Sequence, residues 1–303
     1  MNKPQIFRDE KLQRAFDEDG FVKFPMFSPE QVGRLRNYYL QTKNEHETII
    51  ENKKFHATND TDNSTLIASA DSIIREVMFE EVDKHFFNYQ TIAANYLIKQ
   101  PHEDSELPPH QDLLFVDEDR FYSCNIWVAT EDTTKENGCL RFLKGSHRWI
   151  STVRPLGTYP WIYRDVIDKI PQYLTDVPTQ IGDVVILNHA CIHGSYPNLS
   201  GRTRIAAILG LIPQGAEIYH YFLQDGNDEN PVELYAMTWD DFVNLRKGHR
   251  PEGARLIKSF KADFSPVSDS LFYQWLGVKS PDQPVQSNNV YESIKRKISA
   301  IFK

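Results

Sequence analysis

The sequence predicts a mainly β protein with helical additions: a double-stranded β-helix, or jelly roll, flanked by N-terminal helices and a mixed C-terminal extension. Three observations carry this reading. Between residues 91 and 212, short segments rich in β-branched and aromatic residues are separated by Pro, Gly, Asn and Asp. The first 90 residues instead repeat apolar side chains at helical spacing. The chain has 303 residues, 40% of them hydrophobic, enough for a sizeable core. It reads as one domain: 1–90 helical, 91–212 the jelly-roll core with an insertion at 150–177, and 213–303 the extension.

The elements follow in order. Leu12, Ala15 and Phe16 mark a helix over 9–19 that Gly20 stops. Phe21-Val22-Lys23-Phe24-Pro25 alternates like a short strand. Ser28-Pro29-Glu30-Gln31 is a helix start, with Ser28 as cap, Pro29 at the first position and Gln31 able to reach back; this helix should run to about Thr42. A further helix is expected from Ser72 to about Phe86, with Ile73, Ile74, Val77, Met78 and Val82 on one side. Strands are expected at Thr91–Gln100, Tyr122–Thr130, Cys139–Leu143, Val184–His189 and Arg204–Ile212, and Asn137-Gly138 signals a turn. Trp161–Ile170 reads as a short helix on a long insertion, of the kind that often covers an active site. Thr238–Lys247 reads as helical and Asp282–Asn289 as loose. Residues 290–303 form an amphipathic pattern, read as a terminal helix docked on the body or partly frayed in preference to a membrane-surface helix.

The net charge of −8 disfavours a broad nucleic-acid footprint, which usually needs a basic face. Cys124, Cys139 and Cys191 are too few and too irregularly spaced for a disulfide framework or a zinc knuckle, so free thiols in a reducing cytoplasm are expected. The first residues have no apolar h-region, so no secretory signal is expected, and no apolar run approaches the ~20 residues that span a bilayer.

The chemistry concentrates in Pro108-Pro109-His110-Gln111-Asp112, His193 and Arg204. Side chains at i and i+2 of a strand point the same way, so His110 and Asp112 can face one ion while Gln111 faces away. Two histidines and a carboxylate are the donor set that holds non-haem ferrous iron on one face and leaves the opposite face open. His193 stands 83 positions after His110, a gap that a jelly roll can close. An isolated His-x-Asp is usually a surface accident. Here it precedes the apolar run Leu113-Leu114-Phe115-Val116, while His193 follows the buried-looking strand Val184–Leu187. An arginine past the second histidine suits an acidic cosubstrate, since guanidinium grips carboxylate with two prongs. Arg202 and Arg204 both qualify, lying two apart on one strand face. His102, His147 and His189 read as structural, and Trp149 and Trp161 as core or lid packing in preference to substrate contacts.

These residues resemble the phytanoyl-CoA dioxygenase family of Fe(II)/2-oxoglutarate oxygenases. The resemblance rests on His110-Gln111-Asp112, and on Trp127 through Asn137-Gly138-Cys139-Leu140 to Leu143-Lys144-Gly145-Ser146-His147. It also rests on Gly182-Asp183 and on His193-Gly194-Ser195 with Asn198, Ser200 and Arg204. Asp19-Gly20-Phe21-Val22 and Phe27-Ser28-Pro29-Glu30 resemble the family's opening. Coverage runs roughly from residue 9 to 212, and most of 43–70 and all of 213–303 match nothing comparable.

The resemblance implies a cupin-like core and roles by position. His110, Asp112 and His193 are implied as iron ligands. Arg204, eleven after His193, is implied as the partner of the distal carboxylate of 2-oxoglutarate, assisted by Ser195; Trp127, Asn125 and Tyr96 are implied as lining that pocket. Fe(II), 2-oxoglutarate and dioxygen would together hydroxylate an unactivated C–H bond of a small biosynthetic metabolite, derived from an amino acid, a lipid or a natural product, with succinate and carbon dioxide as coproducts. In related halogenases a small residue replaces the carboxylate, so Asp112 implies hydroxylation or a related oxidation over halogenation. The rivals are a cupin-like metalloprotein with other chemistry and a non-catalytic binding protein.

Overall fold

A computed structural model describes residues 3–47, 53–149, 153–156, 159–227, 229–238, 241, 245 and 249–279. Helix α1 (Glu10–Asp19) is capped by the Asp9 side chain and stopped at Gly20, whose N–H donates to Phe16 O, and strand β1 (Phe21–Pro25) follows directly. Helix α2 (Pro29–Gln41) opens with the expected capping box: Gln31 N–H donates to Ser28 Oγ and Ser28 N–H to Gln31 Oε1. The short α3 (Lys43–Glu47) and strand β2 (Phe55–Ala57) come next.

Helix α4 (Ser64–His85) starts eight residues before the expected Ser72. Asn63 caps it by accepting from Leu66 N–H. Ser64, Thr65, Ser69 and Ser72 make the first turns look like a loop, yet Leu66, Ala70, Ile74, Val77, Met78 and Val82 form one buried stripe.

The core strands are β3 (Tyr89–Lys99), β4 (Leu107–His110), β5 (Cys124–Ala129), β6 (Leu140–Phe142), β7 (Thr175–Val177), β8 (Asp183–Asn188), β9 (His193–Ser195) and β10 (Arg204–Pro213). They form two antiparallel sheets, a six-stranded one ordered β1-β8-β5-β10-β3-β2 and a four-stranded one ordered β4-β9-β6-β7. This is the predicted jelly roll. Phe21, Trp127, Leu140, Phe142, Val185, Leu187 and Ala206 fill the space between the sheets, with the Phe21 and Phe142 rings stacked at 4.2 Å. On its other face the large sheet presents Tyr96, Ile98, Ile126, Val128, Ile205, Ala207 and Leu209 to the helices.

Residues 161–170 are not the expected helix. Arg164 N–H donates to Trp161 O, Val166 N–H to Tyr163 O and Lys169 N–H to Val166 O, a series of i to i−3 turns that ends in a 3₁₀ turn at Ile170–Tyr173. The flanking Pro160 and Pro171 limit the length over which a full helix can propagate.

The extension adds a three-stranded antiparallel sheet, β11 (Ile218–Leu223), β12 (Val232–Met237) and β13 (Arg255–Phe260), and helix α5 (Asp269–Leu276), capped by Ser268. Phe272 and Tyr273 of α5 pack with Trp161, Tyr163, Val166 and Ile170 of the insertion. Most of 238–247, and all of 282–289 and 290–303, lie outside the described residues.

Candidate metal centre

Strands β4 and β9 are paired, with His110 opposite His193, so histidines 83 positions apart become neighbours. Pro108 and Pro109 sit on the outer strand of the small sheet, where a missing N–H leaves no gap in the ladder. Gly194 lets the two backbones approach: a Cβ there would come 2.6 Å from Leu107 O.

Among the described residues His110, Asp112 and His193 form the one group of three such side chains whose donor atoms converge, all within 4.8 Å. Asp112 Oδ1 lies 3.7 Å from His110 Nε2 and 3.8 Å from His193 Nε2. Strand β4 ends at His110, so Asp112 joins the two histidines from the loop beyond it, its N–H donating to His189 O at 3.0 Å.

Hydrogen bonds fix the donors. His110 Nδ1 contacts Pro108 O and His193 Nδ1 contacts Cys191 O, each at 2.9 Å. A carbonyl only accepts, so both Nδ1 atoms carry a proton and Nε2 is the nitrogen each ring turns toward Asp112. Burial, followed by the neighbouring His193, lowers the His110 pKa to about 4, so this ring is neutral at pH 7. For Asp112, burial pushes the pKa up, but His193, His189, His110 and Arg154 outweigh it and leave the carboxyl below its usual value. Two imidazole nitrogens and one carboxylate fit a divalent metal such as Fe(II).

A second group lies between the sheets, where β5 and β10 run side by side. Arg204 is buried, its Nη1 donates to Gly138 O at 2.6 Å, and its guanidinium carbon stands 5.3 Å from the centre of the Trp127 ring. Gly138 makes this close approach possible at φ +87°, where a Cβ would meet Lys99 Cδ and Tyr196 O at 2.7 Å. Arg204 Nε and Trp127 Nε1 are buried donors with no hydrogen-bond partner. Burial lowers the Arg204 pKa to about 10, which leaves it charged at pH 7. Two orphaned donors, one cationic, fit a carboxylate ligand. Ser195 is buried on β9, opposite Leu107 and Leu140.

Of the two candidate arginines only Arg204 enters the barrel. The Arg202 side chain is 78% exposed and reaches Glu131 at 3.8 Å. Tyr96 does not join the site. It pairs with Ala207 on the helix-covered face, and its hydroxyl donates to Leu35 O at 2.9 Å. Neighbouring residues of a strand face opposite ways, so Leu97, beside it, is the one that reaches the inter-sheet core. Asn125 faces the barrel, but its amide donates to Asp112 Oδ2 at 3.0 Å.

His189 Nδ1 contacts Ser123 Oγ at 2.9 Å, and His147 Nε2 contacts Asp17 O at 3.1 Å, both structural uses of the ring. His102 Nδ1 accepts from Asp104 N–H at 3.0 Å, and Trp149 stacks on Trp275 at 5.3 Å.

Sequence reasoning missed two buried cations. Lys99, register partner of Arg204, donates its ammonium protons to Ser105 O at 2.6 Å and Tyr196 O at 2.7 Å, and burial with Arg204 nearby holds its pKa well below the usual value. Arg154, from the insertion, donates Nε–H to Asp112 O at 2.5 Å and grips Glu118 with both terminal nitrogens. Trp161 Nε1 donates to Gln111 Oε1 at 3.3 Å, so the insertion touches both residues that follow His110. Only the wrong-looking polarity of Arg154 and Lys99 within apolar surroundings hinted at either.

Comparison with known proteins agrees with this geometry. Residues 16–206 match the family model described as Phytanoyl-CoA dioxygenase (PhyH), a span that includes the triad, Ser195 and Arg204. Phytanoyl-CoA dioxygenase domain-containing protein 1 of Bos taurus is 34% identical over 137 residues, taking in 42% of this chain and 46% of that protein. Phytanoyl-CoA dioxygenase 1 of Oryza sativa subsp. japonica is 37% identical over 130 residues, 40% and 44% of the two chains. The chain thus spans somewhat less than half the length of these curated relatives. The solved structure of SnoK, a non-heme alpha ketoglutarate dependent carbocyclase from nogalamycin biosynthesis, shares the fold at a TM-score of 0.50 and 17% identity, over 82% of this chain and 96% of that one. No helix among the described residues is long and apolar enough to cross a membrane. The matched span covers well over half of the sequence, and the chain belongs to the phytanoyl-CoA dioxygenase family.

Proposed function

We propose that the protein is an Fe(II)- and 2-oxoglutarate-dependent dioxygenase that hydroxylates an unactivated C–H bond of a small metabolite. One observation carries the reading: three converging donors share the barrel interior with a buried, incompletely satisfied guanidinium. When bound, the metal and cosubstrate supply oxidation by dioxygen, with 2-oxoglutarate leaving as succinate and carbon dioxide.

The chain's own residues do the rest. His110, His193 and Asp112 hold the ion on one face. Arg204 pairs with the distal carboxylate of the cosubstrate, Trp127 flanks it and Ser195 assists. The Asp112 carboxylate occupies the position that a halide needs, which favours hydroxylation. The insertion covers the site, with Arg154 on the Asp112 carbonyl and Trp161 on Gln111. The substrate is amino-acid-derived, lipid-derived or a natural product of a biosynthetic route, and the protein works in the cytoplasm.

The test is succinate formation from 2-oxoglutarate with Fe(II) and oxygen, alongside thermal stability with Mn(II) and 2-oxoglutarate. Succinate above the metal-free control, and stabilisation by the pair beyond Mn(II) alone, are expected. Stabilisation by Mn(II) with no response to 2-oxoglutarate sinks the reading in favour of other metal chemistry.

A further inference from the structure

A histidine offers a metal one lone pair, whereas a carboxylate offers two oxygens and binds through one or both. Asp112 is therefore the one donor of the triad whose binding mode is not set by its own structure. Its Oδ1 faces the two histidine Nε2 atoms at 3.7 and 3.8 Å, and its Oδ2 accepts from Asn125 Nδ2 at 3.0 Å. Asn125 is itself held in the middle of the large sheet, on β5, opposite Leu187 of β8 and Gly210 of β10. A Cβ at Gly210 would meet the Ile92 side chain at 2.6 Å and stand at ordinary contact, 3.4 Å, from Asn125 Oδ1.

We propose that Asn125 is a positioning residue that keeps Asp112 a one-oxygen ligand. The inference rests on the metal and cosubstrate reading above. In a six-coordinate site, three protein donors leave three positions. A chelating 2-oxo acid would need two of them and dioxygen the third. A carboxylate bound through both oxygens would occupy one of these. By engaging Oδ2, the Asn125 amide keeps that oxygen off the ion and all three positions available. Asn125 thus acts on the cosubstrate through Asp112, not as a direct contact.

The test uses Asn125→Leu and Asn125→Ala, which both remove the donor, one keeping the volume and one not, so that a folding defect in either leaves the other. Fe(II) affinity is measured anaerobically by competition with a chromophoric chelator. 2-Oxoglutarate binding is read from the visible charge-transfer band of its ferrous chelate. Expected are Fe(II) affinity within about threefold of the parent, 2-oxoglutarate affinity at least tenfold weaker, and a diminished band. A full band with 2-oxoglutarate affinity within twofold overturns the proposal. So does loss of Fe(II) affinity by more than tenfold in both variants, which would make Asn125 a general support of the site. Absence of the band in the parent protein would instead sink the cosubstrate reading itself.

Discussion

The two faces of the six-stranded sheet are built from alternate residues of the same strands, yet they do different work. On the helix-covered face, Tyr96, Ile98, Ile126, Val128, Ala207 and Leu209 pack against α2 and α4, and the polar tip of Tyr96 is spent on Leu35 O. On the barrel face, Asn125, Trp127 and Arg204 surround an interior whose polar atoms are only partly satisfied. A finished core satisfies its buried donors, and a binding site holds some back for a ligand. Parity along a strand decides which of the two a residue joins.

Substitutions on the two faces should therefore separate activity from stability. The largest effect is expected for Asp112→Ala: succinate formation falls on the order of 10³-fold or more. Full retained turnover would refute the ligand assignment. Arg204→Ala should raise the 2-oxoglutarate requirement about 10²-fold with Fe(II) affinity preserved, and Arg204→Lys should not restore it, since the ammonium lacks the two-pronged geometry. Arg202→Ala is the control; equal effects of the two would erase the distinction between barrel and surface.

Acid should attack buried histidines wherever they sit, in the barrel at His110 and also on the helix-covered face. His46 lies there, its ring 5.0 Å from Tyr39 and 6.0 Å from Tyr96, and burial, then His56, lowers its pKa to about 4 from an ordinary 6.5. Burial lowers His147 and His220 to about 4 as well. The unfolded chain then binds more protons than the folded one between about pH 4 and 6.5, so stability is complete above 6.5 and falls as pH drops through that window. The melting temperature should decline by several degrees from pH 7 to pH 5, and His46→Phe should flatten the decline; an unchanged slope would show that His46 does not contribute. The smallest effect is expected for Tyr96→Phe, which loses one buried hydrogen bond worth about 1 kcal/mol and roughly 2–4 °C of melting temperature. The 2-oxoglutarate requirement should not move. A tenfold rise would put Tyr96 back in the cosubstrate pocket.

The contrast also explains what was legible in the sequence. The jelly roll and the capped N-terminal helices follow from alternation and caps; His110, Asp112 and His193 stood out by donor chemistry, and they meet through the pairing of β4 with β9 and the loop that carries Asp112. The Ser72 boundary failed because a polar first turn hid the stripe that Leu66 and Ala70 begin. Tyr96 failed by one residue of register, which reverses a side chain completely. The helix expected over 161–170 failed because Pro160 and Pro171 leave little length for one and packing against α5 shapes the turns between them. Arg154 and Lys99 left only a faint signal, since Glu118 and Tyr196, which hold them, lie 36 and 97 positions away.

The contact of Arg154 with the Asp112 carbonyl bears on how this scaffold can be redesigned. Loops over a barrel mouth are the usual target for exchanging specificity, on the assumption that they and the reactive centre are separable modules. Here they are not. A transplanted 150–177 segment lacking Arg154 would strand Glu118 as an unpaired buried acid and release the backbone that carries an iron-facing carboxylate. Residues 118 and 154 therefore form a unit of inheritance, to be moved together or left in place.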